Sequence, residues 1–214
     1  MRKAVIFDMD GVLIDSQPLH YKVDMAVLHK CGYPAVLETV VPYTGVSNPD
    51  RWPKYRESLN LAQSVGELIK LQTETLADVF SNETLAAFEG IPQLLRRLKS
   101  RGVKTAVASS SPHELINLSL SKTGIDKYFD VLVSGEDVSV GKPAPDIFLF
   151  AAEKLNRAPG GCIVVEDSPN GIRAAKNAGM VCIAFRNAHT SGQDFTYADY
   201  VVDAYEETYK IFNI

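Results

Sequence analysis

Apolar positions along this chain follow two regimes. In the first, short continuous apolar runs stop abruptly at polar residues: Ala4 to Phe7, Val103 to Ala108, Phe129 to Val133, Cys162 to Val165, Val181 to Phe185 and the brief Tyr200 to Val202. Unbroken runs of this length predict strands buried on both faces. Helix-period segments alternate with them from Gly90 onward. Pro92 opens a segment carrying Leu94, Leu95 and Leu98 that stops at Gly102. Ser111 and Glu114 read as a capping box with Pro112 at the first helical position, and Gly124 closes that helix. Later segments carry Phe148, Ala151, Ala152 and Leu155, then Asn170 to Ala178 ahead of Gly179. Strands alternating with helices predict a parallel sheet covered on both faces.

The second regime interrupts the first strand–helix step. From Pro18 to about Phe88 the pattern is helical and lacks a buried strand. His20, Val23, Val27 and Leu28 share one face ahead of Gly32 and Pro34. Pro42 to Pro53 reads as a loop. Ser64 and Glu67 form a capping box for a helix striped with Val65, Leu68, Ile69, Leu76, Val79 and Phe80. Trp52 reads as a packing residue. The expected organisation is α/β: a core from 1–14 and 88–214, with an all-helical insertion at 15–87.

Composition narrows the class. Hydrophobic content of 46% with 22% charged residues is that of an ordinary globular protein, and a net charge of −4 without a basic block argues against nucleic acid or an anionic membrane as partner. No apolar run approaches a membrane span. The first strand is too short, and too soon followed by acids, for a signal peptide. Cys31, Cys162 and Cys182 lack metal-type pairing and read as reduced thiols, so a cytoplasmic location is expected, with a monomer as the working assumption.

The candidate chemistry lies at strand ends. Asp8 and Asp10 follow the first strand two residues apart, on one side of it if the strand continues, with Gly11 turning the chain. Ser109 to Ser111 follow the second, Lys142 lies on a Lys-Pro loop, and Glu166 and Asp167 end the Cys162 run. Ligands of open parallel sheets bind beyond such ends. Carboxylates without histidine or cysteine suit a hard cation, Mg²⁺ above all. With a fixed ammonium and a helix N-terminus beside them, they predict phosphoryl transfer through a carboxylate nucleophile.

The segments Asp8-Met-Asp10-Gly-Val-Leu-Ile-Asp15-Ser, Val107-Ala-Ser109-Ser-Ser111, Gly141-Lys142-Pro-Ala-Pro-Asp146 and Val165-Glu166-Asp167-Ser-Pro-Asn-Gly171 together resemble the four motifs of the haloacid-dehalogenase superfamily, most closely its β-phosphoglucomutase-like phosphatases. The resemblance spans the chain. It implies a Rossmann-like core with an inserted helical cap and Mg²⁺-dependent phosphatase or phosphomutase chemistry through an aspartyl phosphate. By resemblance Asp8 is the nucleophile and Asp10 the general acid–base, its carbonyl also a metal ligand. Ser109 and Lys142 hold the phosphoryl group. Asp8, Glu166 and Asp167 complete the Mg²⁺ site. Ser110, Ser111, His20, Gly45, Val46, Ser47, Asn48 and Arg51 are candidates for substrate contact, the last five on a cap loop facing the leaving group.

Three functions follow: a phosphatase of small phosphorylated metabolites, a sugar phosphomutase, and an aspartate-phosphorylated signalling domain. The last is disfavoured by the Asp-x-Asp spacing and the helical insertion. The mutase is disfavoured because true β-phosphoglucomutases place a lysine before the cap loop's Gly-Val-Ser and an arginine after it, where this chain has Thr44 and Asn48.

Overall fold

β1 (Ala4–Phe7) is buried along its whole length, as its four apolar residues require. In this computed structural model, the described residues are 4–214 apart from Gly45, Ser47 and Ser191, and of Asn48 and Pro49 only the backbone is described. The chain divides into two compact units, Met1–Asp15 with Leu85–Ile214, and Ser16–Thr84.

The second unit is helical: α1 (Gln17–Lys30), α2 (Leu37–Val40), α3 (Asn48–Ser58) and α4 (Val65–Asn82). The Ser64–Glu67 box forms as expected, each partner bonding the other's backbone amide. Two expectations are corrected. The segment read as a loop becomes α3 from Asn48 onward, with Pro53 inside it. The N–H that Pro53 lacks would have bonded the carbonyl of residue 49, in the helix's first turn, so the loss falls near its end. The buried face of α4 is also not purely apolar. Gln72 and Thr75 lie on it with Leu68 and Phe80, because Trp52 donates to Gln72 (3.4 Å) and Lys30 to Thr75 (2.8 Å).

The first unit alternates. After β1 come α5 (Ile91–Ser100), β2 (Lys104–Ser109), α6 (His113–Thr123), β3 (Val131–Ser134), α7 (Asp146–Lys154), β4 (Cys162–Glu166), α8 (Pro169–Asn177), β5 (Val181–Phe185), β6 (Tyr200–Val202) and α9 (Thr208–Phe212). The strands form one parallel sheet in the order β3-β2-β1-β4-β5-β6. This is the expected Rossmann-like α/β fold. Strand order reverses beside β1, where β2 lies on one side and β4 on the other. In such sheets that reversal opens a crevice at the carboxyl ends. Register fixes what meets there: Phe7 pairs with Val107 and Val165, so the next residues, Asp8 and Glu166, fall side by side.

The predicted Ser111–Glu114 cap does not form. α6 starts at His113 behind Pro112 without a side-chain cap, because the Ser111 hydroxyl donates instead to Asp10. Beyond Asp10 the chain turns tightly: Gly11 has φ +79°, and the amides of Leu13 and Ile14 return to the Met9 carbonyl. Ile14 then bridges to Ala87. Tyr205 closes this corner, stacking on Phe185 and donating its hydroxyl to the Val12 carbonyl. Cys162 and Cys182 are buried and all three cysteines are free thiols.

Candidate functional site

The site begins with a buried lysine. Lys142 donates to Asp8 Oδ1 at 2.5 Å, to Glu166 Oε1 at 2.8 Å and to the Ala108 carbonyl at 3.2 Å, which engages all three ammonium hydrogens. Its ammonium lies 4.9 Å from the Phe148 ring centroid. Burial works against the charge on Lys142, but Asp8 and Glu166 outweigh it and hold the ammonium above the ordinary lysine value. For Asp8 the balance runs the other way. Burial raises its carboxyl to about 7 although Lys142 pulls it down, and repulsion from Glu166 and Asp10 adds to the rise.

Glu166 has partners that the sequence did not indicate. One carboxylate oxygen accepts from the amides of Asp167 and Ser168 (2.7 Å each) and the Ser168 hydroxyl, and the other takes Lys142. It thus organises its own loop and the lysine. Gly171 is required beneath it, since a Cβ there would lie 1.6 Å from Glu166 Oε1.

Asp10 has different company. Ser111 donates its hydroxyl to Asp10 Oδ2 at 3.0 Å, and the Ser111 amide donates to Ser109 Oγ at 3.1 Å. Ser134 in turn donates to the Ser111 carbonyl at 2.7 Å. The serine run is therefore folded as a unit, with Ser109 buried and Ser110 exposed.

The residue that sequence reasoning missed is Asn187, two positions past β5. Its side-chain amide donates to the Gly11 carbonyl at 2.7 Å and to Asp167 Oδ2 at 3.1 Å. Its position beyond a strand's carboxyl end was the available signal. Burial, with the charges of Glu166 and Asp8, pushes Asp167 well above the usual carboxylate range; Asn187 and Lys142 oppose that shift.

The sequence model of the haloacid dehalogenase-like hydrolases matches residues 2–179. The chain belongs to this family. It is 38% identical over 178 residues to a phosphorylated carbohydrates phosphatase of Thermotoga maritima, covering 83% of this chain and 82% of that one. Among solved structures, CbbY of Rhodobacter sphaeroides, determined with xylulose 1,5-bisphosphate, is similar at TM-score 0.81 and 25% identity, covering 97% and 96% of the two chains. A β-phosphoglucomutase of Clostridium difficile is similar at TM-score 0.76 and 27% identity, covering 100% and 99%. As a member of the haloacid dehalogenase-like hydrolases, the chain is an enzyme.

The acids of this hydrolase suit a divalent cation in chemistry and charge. Asp8, Glu166 and Asp167 offer only oxygen, and three carboxylates face the one Lys142 ammonium, so acids outnumber the cation at the site. Among the described residues, however, no three such side chains already converge at metal-ligand spacing. Glu166 bonds its own loop and Lys142 at the same time, and its Oε1 retains a lone pair beside the one that takes the ammonium. None of the helices among the described residues is long and apolar enough to cross a membrane.

The remaining candidates belong to the helical unit. His20 packs its ring 5.4 Å from that of Phe80. Arg51, a candidate for substrate contact, is buried, its Nε 3.3 Å from Asp24 Oδ2. The Tyr55 hydroxyl donates to the same oxygen at 3.2 Å. Val46 donates its amide to the Tyr43 carbonyl at 3.1 Å. Gly45, Ser47 and the Asn48 side chain lie outside the described residues.

Proposed function

We propose that this hydrolase is a Mg²⁺-dependent phosphatase of small phosphomonoesters, phosphorylated carbohydrates among them, acting through a phosphorylated Asp8. The observation that carries the reading is the unlike company of the two aspartates. Asp8 meets an ammonium, while Asp10 accepts from the neutral Ser111 hydroxyl. Contact with a cation favours an ionised nucleophile; a neutral donor is compatible with a carboxyl that exchanges its proton.

In the first step an Asp8 oxygen attacks phosphorus as the ester P–O bond breaks. Protonated Asp10 gives its proton to the departing alkoxide, so the product leaves as an alcohol. In the second, ionised Asp10 takes a proton from water as that water attacks the phosphorus. The bond to Asp8 breaks, inorganic phosphate leaves and both carboxyls return to their starting state. Ser109 accepts from the Ser111 amide, which leaves its own hydrogen to donate to a phosphoryl oxygen. Lys142 can reach such an oxygen by giving up its longest bond, to Ala108. Asp8, Glu166 and Asp167, with the Asp10 carbonyl, would hold Mg²⁺, whose charge would favour ionised Asp8 and offset phosphoryl oxygens. We place the enzyme in a reducing compartment such as the cytoplasm, in keeping with its free thiols. A phosphate-release screen over phosphorylated metabolites with Mg²⁺ tests the reading. Release from sugar phosphates is expected, and no release from any phosphomonoester would overturn it.

The likeness to a β-phosphoglucomutase keeps a mutase as second reading. Against it, Thr44 is neutral and engaged with Tyr21 (2.6 Å) and the Val41 carbonyl (2.6 Å). A coupled assay for glucose 6-phosphate from β-glucose 1-phosphate, primed with the bisphosphate, should run below the rate of phosphate release. A faster rate would make the mutase reading the correct one.

A further inference from the structure

We infer that Asn187 is a positioning residue that clamps the Asp167 carboxylate to the turn after the nucleophile strand, and so sets the cation affinity of the site. The inference rests on the phosphatase reading in taking Asp167 as a cation ligand. Asn187 is fixed from both ends. Its Oδ1 accepts the His189 amide at 2.7 Å, which orients the side chain with Nδ2 facing the site. Nδ2 then uses its two hydrogens on different segments, the Gly11 carbonyl and Asp167 Oδ2.

The backbone beneath is held too. The Asn187 amide donates to Thr190 Oγ1 at 3.1 Å, and that hydroxyl donates back to the Asn187 carbonyl at 2.9 Å. Thr190 is buried. Two residues beyond Asn187, His189 Nε2 lies 3.1 Å from Asp15 Oδ1, a second tie between this loop and the segment after β1. The fit at Gly11 is close: a Cβ there would lie 2.0 Å from Asp167 Oδ2 and 3.2 Å from Asn187 Nδ2. Asp8 and Asp10 come from one strand end and Asp167 from another. Asn187 is a third segment bonded to both, and it holds Asp167 Oδ2 so that the other oxygen stays outside the clamp.

Partners that orient a metal ligand typically change affinity or activity by about 10–100-fold when removed. The test is direct Mg²⁺ binding by calorimetry on the full chain without substrate, for wild type, Asn187→Asp and Asn187→Ala. Circular dichroism and melting follow the fold, and phosphate release is measured against Mg²⁺ concentration in parallel. Asn187→Asp keeps the shape but replaces both donor hydrogens with an acceptor. We expect Mg²⁺ binding weakened roughly ten- to hundredfold in both variants, with half-maximal phosphate release shifted to higher Mg²⁺ by a similar factor. Should Asn187→Asp not fold, Asn187→Ala, which only removes contacts, reads the same effect. Wild-type binding with both folded variants within twofold of it overturns this inference and leaves the phosphatase reading standing. So does a lowered melting temperature with unchanged Mg²⁺ affinity, the mark of a merely structural role. A wild type that binds no Mg²⁺ overturns the metal-dependent reading and this inference with it.

Discussion

Each unit of this protein buries charge, but on different terms. In the helical unit the buried acid Asp24 meets the Arg51 guanidinium and the Tyr55 hydroxyl. In the sheet unit Asp8, Glu166 and Asp167 gather around Lys142. The first is a near-balanced pair and the second carries surplus negative charge. A balanced buried pair stabilises little over an apolar filling, yet losing one partner is costly. Surplus charge is costly from the start, and it persists where function needs it. On the reading proposed above, the helical cluster serves architecture and the sheet cluster serves chemistry.

The largest expected effect separates the two at once. Asp8→Asn should abolish phosphate release, by several orders of magnitude, while the melting temperature stays near that of wild type. Retention of activity within tenfold would break the comparison at its functional end. Next, chelation should silence the enzyme and added Mg²⁺ restore it, and Asp167→Asn should raise the Mg²⁺ requirement. Full activity in excess chelator would remove the reason offered for the surplus charge.

The helical cluster should respond in stability instead. Arg51→Ala leaves Asp24 buried without its cation and should cost about 3–5 kcal/mol in chemical denaturation at neutral pH. A double Asp24→Leu, Arg51→Met variant should recover most of that. If Arg51 acts mainly on substrate, activity would fall with stability unchanged.

The smallest effect is in pH. Burial raises the Asp24 carboxyl above its ordinary value of 3.8, with Arg51, His20 and Tyr55 opposing. An acid with a raised folded value binds its proton more tightly when folded. Its ionisation therefore lowers stability as pH rises from the ordinary value through the raised one. The melting temperature of wild type relative to Asp24→Asn should accordingly rise as pH falls through that window. A gap that stays constant would sink the burial argument.

Much of this was legible in the chain itself. Unbroken apolar runs predicted the buried strands, since only a sheet covered on both faces accepts them. Asp8, Ser109, Lys142 and Glu166 stood out because each follows a strand or lies on a strand-connecting loop. Local chemistry failed where a side chain had a distant alternative. Ser111 reads as a helix cap, but Asp10, 101 residues away in sequence, takes its hydroxyl. Arg51 reads as part of a cap loop, and Asp24, 27 residues earlier, takes it into the interior. Glu166 reads as a cation ligand, and nothing in the sequence signals that its carboxylate also takes Lys142, 24 residues away.

Periodicity and punctuation thus determined the fold, because it depends on burial and backbone preference, which each segment carries within itself, while the four ordered motifs carried the resemblance to the family. The tertiary structure alone decided which donor each carboxylate faces, and it alone brought Asn187 to Gly11 across 176 residues of sequence. A hydrogen bond is settled by distances of tenths of an ångström between segments that periodicity leaves unrelated.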